Sequence, residues 1–181
     1  IQFHGVQPNS VRVTDGRLYV HSGPDPAWLS TTNAYDWTPD ATGDWIQATF
    51  HLVDHHIDAS PAMRIGYFIA AHDFDGSNER TQGNVLVDGN RAAPTSIYTD
   101  YPEGGKTARG SIGRQGYVPG RNYGVRVTNH GDGKFLVEHL INGIPDGDPL
   151  ELTQADLPDG GFAFFCCSSR SYIVDDVRIE R

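Results

Sequence analysis

Residues 44–53 (DWIQATFHLV) alternate, with Trp45, Gln47, Thr49, His51 and Val53 on one face and Ile46, Ala48, Phe50 and Leu52 on the other. That two-residue period predicts a strand with one buried face. Residues 63–71 (MRIGYFIAA) are apolar on both faces, which predicts a central strand covered on both sides. Shorter β-rich runs lie at 17–21, 84–87 and 95–99. Residues 123–128 and 134–141 flank Asn129-His130-Gly131-Asp132-Gly133 and predict a hairpin with a longer Gly-bearing loop. Asn142-Gly143 marks a second turn, with a short strand expected from Ile144. Residues 161–167 (GFAFFCC) and 172–180 (YIVDDVRIE) close the chain. The one predicted helical turn is 153–157, with Thr153 as N-cap and Asp156 at the third position. Some ten closely spaced strands in 181 residues, with no repeat and no linker, predict one all-β domain, a sandwich or a barrel.

Composition sharpens this picture. There are 21 Gly and 11 Pro, and 18 of the 23 acids are Asp, a residue that favours turns over helices. The net charge of -9 excludes a nucleic-acid partner, which requires a basic patch, and argues against an anionic membrane surface. No run approaches the ~20 apolar residues of a spanning helix, so membrane insertion is not expected. Cys166 and Cys167 are the only cysteines. Two adjacent cysteines cannot form a disulfide framework. One thiol in the core and one outside is the expectation, and a vicinal disulfide is the alternative. The chain opens on Ile1-Gln2-Phe3 without Met, so a processed product or excised domain is expected.

The segments GFAF (161–164) and YIVDDVRI (172–179), with the hairpin ending LINGIPDG, resemble the closing strands of concanavalin A-like jelly rolls. That group includes laminin G-like domains, laminarinase-type glucanases and carbohydrate-binding modules. The likeness covers the last third of the chain by motif and the rest by strand pattern. It implies a jelly-roll β-sandwich of two antiparallel sheets spanning residues 1–181. It also implies a non-catalytic carbohydrate-binding or adhesion module of a larger protein. The setting would be extracellular, periplasmic or cell-surface. A glycan, and other domains of a parent protein, would be its partners. The same fold hosts glycoside hydrolases, polysaccharide lyases and protein-binding structural domains, and those readings stay open. The glucanase signature E-x-D-x-x-E is absent, and the five Glu are scattered.

Candidate ligand-binding residues cluster in and after the central strand. Asp73, Asp75, Asn78 and Glu79 place four oxygen-bearing side chains within seven residues, a spacing loosely like a calcium loop. Without a metal the same groups suit sugar hydroxyls, and Arg80 adds a planar donor. Tyr98 and Tyr101 bracket a polar loop and are candidates for stacking on a sugar face. Tyr67 and His72 share the strand before the loop, and a His–Tyr pair would serve acid–base chemistry in a lyase. Trp28 and Trp37 flank a polar segment and are candidates for exposure, whereas Trp45 reads as core or edge.

In the last strand, strict alternation would put Ile173, Asp175, Val177 and Ile179 on one face, so Asp175 would need a cation, an Arg or backbone N–H groups. The resemblance implies a structural Ca2+ at Asp175, completed by backbone carbonyls including an early turn at Gly43.

Overall fold

The structure is a computed structural model. It describes residues 2–4, 11–22, 27–56, 65–74, 81–89, 96–99, 107–110, 115–166 and 170–181. The strands are β1 Gln2–His4, β2 Val11–Thr14, β3 Arg17–His21, β4 Ala27–Ser30, β5 Trp45–His56, β6 Ile65–Phe74, β7 Thr81–Gly89 and β8 Ser96–Thr99. They continue as β9 Thr107–Gly110, β10 Arg121–Gly131, β11 Lys134–Ile141, β12 Ile144–Pro145, β13 Leu150–Thr153, β14 Gly161–Cys166 and β15 Ser171–Glu180. The predicted helical turn is a single 3-10 turn, Gln154–Asp156, closed by a capping box between Thr153 and Asp156.

Two sheets form, each antiparallel at every strand pair. The order is β1-β4-β14-β6-β7-β8-β9 in one and β12-β11-β10-β5-β15-β3-β2 in the other, with β13 also pairing β11. Crossing between sheets gives the jelly-roll sandwich that the resemblance implied, the sandwich being one of the two architectures the strand pattern allowed. Phe50 from the eight-stranded sheet meets Tyr67 and Phe164 of the other edge-to-face, at centroid distances of 5.3 and 5.2 Å. Phe50, Tyr67 and Phe164 sit among Leu52, Val125, Val137, Phe162 and Val174 in one continuous core. Residues 65–71 of central strand β6 are buried on both faces, as their apolar run requires. Tyr67 and Ile69 face the other sheet, and Phe68 turns away from it onto Phe165.

Three tight turns carry left-handed backbone at both central residues, Asp15-Gly16, Asp132-Gly133 and Asn142-Gly143. This is the type I′ geometry that matches strand twist. The expected longer loop after β10 is therefore shorter. A bulge between Asn129 and Gly131 absorbs the extra residue, and Gly131 pairs directly with Lys134.

Alternation fails in β15. Asp175 pairs with His51 and Arg178 with Thr49, so two residues on β15 oppose one on β5. Asp176 takes φ 49° at this bulge. The phase reverses across it. Val174 is fully buried before the bulge and Ile179 packs on the core after it, so Asp175 lies on the outward face. The expectation of a carboxylate on an apolar face is corrected by one bulge.

Cys166 is buried in the core, as expected for one of the pair. Cys167 lies outside the described residues. Trp37 is 0% exposed, with Nε1 donating to the Gly160 carbonyl at 3.0 Å, so it is core rather than surface. Trp45 is 38% exposed at the start of β5. The side chain of Trp28 lies outside the described residues.

Candidate functional site

The site is built at one end of the sandwich. Gly160 is the pivot. It bridges to Tyr35, accepts from Trp37, and lies so close to Ala70 and Ala71 that a Cβ there would stand 2.7 Å from Ala71 N. The start of segment 36–44 is thereby anchored at Gly160, beside Ala70 and Ala71 of β6. It is tied down from the other sheet by Asn129, whose Nδ2 donates to the Pro39 carbonyl at 2.6 Å and the Asp40 carbonyl at 3.2 Å. Arg181 Nη2 donates to the Asp36 carbonyl at 2.8 Å.

Two adjoining hollows result, and they share Pro39 and Asp40. One, of about 440 Å³, is lined by Asp36, Asp40, Asn129, Gln154 and Asp159 among others. The second, of about 340 Å³, is lined by Asp40, Gly43, Asp44, Trp45 and Arg181 as well as Pro39. Asp36 is held by Thr38, whose backbone N–H and hydroxyl donate to Oδ1 at 2.8 and 2.7 Å. The side chains of Asp40, Gln154 and Asp159 face solvent and make no hydrogen bond among the described residues. An exposed indole beside carboxylate and amide groups can stack on the flat face of a sugar ring and accept its hydroxyl protons. Sequence reading missed Asp36, Asp40, Gln154 and Asp159, because only the pivot at Gly160 brings these separate segments together.

The sequence-predicted residues divide. His72 and Asp73 lie on β6 just past Ala71, at this same end. Tyr98 lies on β8, in register with Leu86 of β7, which pairs with Phe68 of β6. β6 and β8 run in one direction, so both lead toward the end where the β6–β7 connection lies. Asp75, Asn78, Arg80 and Tyr101 lie outside the described residues.

Tyr67 is elsewhere. It is 0% exposed and its hydroxyl is spent inside the sandwich, donating to the Gly124 carbonyl at 2.8 Å. Its oxygen then accepts from His139 Nδ1 at 2.9 Å, since the phenol has one proton. Burial pushes the Tyr67 phenol well above its ordinary value, with Tyr123 adding to the rise. Burial also holds His139 down to about 4, against the opposing pull of Asp146. The molecule thus contains a His–Tyr pair, but one sealed from any substrate, so Tyr67 is no ligand-binding residue.

Asp175 and Gly43 do not converge. Asp175 pairs with His51, whereas Gly43 precedes Trp45, the first residue of β5. Six strand residues separate those positions by about 20 Å. The Asp175 carboxylate instead lies 3.7 Å from Arg17 Nε and accepts from the Asp176 N–H at 2.8 Å. The Gly43 N–H donates to the Asn129 carbonyl at 2.8 Å. These residues do not fit a shared calcium ion. No three acidic, His or Cys side chains converge on a metal position among the described residues.

Comparison with protein-family models and with curated protein sequences finds no match. Comparison of folds does. The Emp46p carbohydrate recognition domain in its metal-free form superposes with a TM-score of 0.61 at 11% identity, over 93% of this chain and 84% of that one. The VIP36 exoplasmic/lumenal domain in its Ca2+/Man-bound form gives 0.62 at 10% identity, over 99% and 82%. Alginate lyase PA1167 from Pseudomonas aeruginosa gives 0.51 at 14% identity, over 98% and 88%. The fold is the concanavalin A-like jelly roll. At these identities the likeness establishes architecture alone. Lectin domains and a lyase share it, so the chemistry has to be argued from the residues.

Proposed function

We propose that this jelly roll is a non-catalytic carbohydrate-recognition module that binds glycan at the Gly160 end of the sandwich. The observation that carries the reading is the half-exposed Trp45 beside a hollow holding the unengaged side chains of Asp40, Gln154 and Asp159. A glycan site needs this combination, a flat apolar surface for the sugar ring and polar groups not already bonded to protein. The placement of His72, Asp73 and Tyr98 on strands running to the same end supports it, and the proposed site takes in Asp75, Asn78, Arg80 and Tyr101, which follow those strands in sequence. Fold neighbours that are themselves carbohydrate recognition domains also support it. The module belongs to a larger extracytoplasmic protein, extracellular, periplasmic or on the cell surface. No helix among the described residues is long and apolar enough to cross a membrane.

The test is a glycan array followed by calorimetric titration of the best neutral oligosaccharide. Trp45→Ala and Tyr98→Ala should each weaken binding about tenfold, the worth of roughly 1.4 kcal/mol, with the melting curve retained for the exposed Trp45. Absence of any glycan ligand, or unchanged affinity in Trp45→Ala, would overturn the reading.

A further inference from the structure

A further hollow, of about 320 Å³, opens on the outward face of the eight-stranded sheet, away from the Gly160 end. It is lined by Arg12, Tyr19, Val20, His21, Ser171, Tyr172 and Ile173. Register explains the grouping. Arg12 pairs with Tyr19 and Tyr19 with Ile173 in one row, and His21 pairs with Ser171 in the next. No acidic residue lines the hollow among the described residues, although the chain carries a net charge of -9.

Arg12 is the informative residue. Its guanidinium lies over the Tyr19 ring, 4.8 Å from the centroid. Arg17, Arg126, Arg178 and Arg181 each have a carboxylate within 4.0 Å. Arg12 has none among the described residues. The ring contact consumes none of the guanidinium N–H donors and restrains the side chain, so less freedom is lost when a ligand binds. An unpaired, oriented guanidinium beside the Ser171 hydroxyl and the His21 ring matches the planar, two-oxygen geometry of a carboxylate. The apolar surface of Ile173 and Tyr19 accommodates the body that carries it.

We propose that this hollow binds a small organic carboxylate, with Arg12 as the bidentate anchor and His21 and Ser171 as secondary donors. It is a site separate from the glycan hollow, and its failure leaves that reading untouched.

The test uses glucuronate, acetate, sulfate and glucose as probes, with 15N-resolved NMR titration of the full chain. Glucuronate and acetate should shift the amides of Arg12, Tyr19, His21 and Ser171, and glucose should not. Arg12→Gln should weaken carboxylate binding at least tenfold. Arg12→Lys should fail to restore it, since an ammonium keeps the charge but loses the stack and the fork. Both changes fall on an exposed side chain of an edge strand, so the melting temperature should hold. Equal carboxylate affinity in Arg12→Gln, full rescue by Arg12→Lys, sulfate binding as tightly as carboxylate, or amide shifts confined elsewhere would each overturn the assignment.

Discussion

Acidification should destabilise this protein through His139. The imidazole is 1% exposed, bonded at Nδ1 to Tyr67 and without a partner at Nε2. In the folded state it titrates near 4, against an ordinary value of 6.5. Below pH 6.5 the unfolded chain takes up a proton that the folded chain refuses. Stability contributed by the neutral ring is therefore full above pH 6.5 and falls as the pH drops toward 4. Below 4 both states carry the proton and this group adds no further slope. The interval between the two values is worth roughly 3 kcal/mol, a large share of a typical domain's 5–15 kcal/mol. Urea unfolding followed by circular dichroism at pH 7, 6, 5 and 4 measures it. With a slope near 2 kcal/mol per molar, the midpoint should fall by about 1–2 M more in the native protein than in His139→Leu. Leucine costs the Tyr67 hydroxyl its second partner and lowers stability at every pH, but it removes the titration, so the difference in pH slope isolates His139. Equal slopes for the two proteins between pH 6.5 and 4 would refute the reasoning, as would an NMR titration of folded His139 near 6.5.

Gly160→Ala should cost on the order of 3 kcal/mol or prevent folding, because the new methyl meets the Ala70–Ala71 backbone rather than a movable side chain; a thermal melt decides it. Trp37→Phe should cost about 2 kcal/mol in denaturant unfolding, since it removes the bond to the Gly160 carbonyl and leaves space in the core. Asp175→Asn should change stability by less than about 1 kcal/mol, as expected for an exposed ion pair. EDTA should shift the melting temperature of Asp175→Asn by the same amount as that of the native protein. A smaller shift in the variant would restore Asp175 as a metal ligand.

The local patterns that proved legible share one property, that each is enforced by neighbours in sequence. Alternation in β5 holds from Trp45 to Leu52 because a pleated strand presents successive side chains to opposite faces whatever it pairs with. Asp132-Gly133 and Asn142-Gly143 turn because these residues tolerate left-handed backbone. Thr153 and Asp156 cap their own turn. Together these determined an all-β chain with correctly placed central strands.

What the tertiary structure alone decided depends on partners distant in sequence. Residues 65–71 are apolar on both faces, so nothing local says whether Tyr67 or Phe68 faces the other sheet. Pairing with β14 and β7 sets that, and it sent Tyr67 inward to His139. The bulge at Asp176 arises in the register between β15 and β5, and it turned Asp175 from a supposed buried ligand into an outward partner of Arg17. Trp37 is core rather than exposed because Gly160, more than a hundred residues away, supplies the surface that buries it. The candidate glycan hollow draws on Asp36, Asn129, Gln154 and Asp159. Alternation and turn chemistry act over a few residues and can be read from the chain, whereas a site assembled across two sheets exists only once long-range pairing fixes which loops share an end.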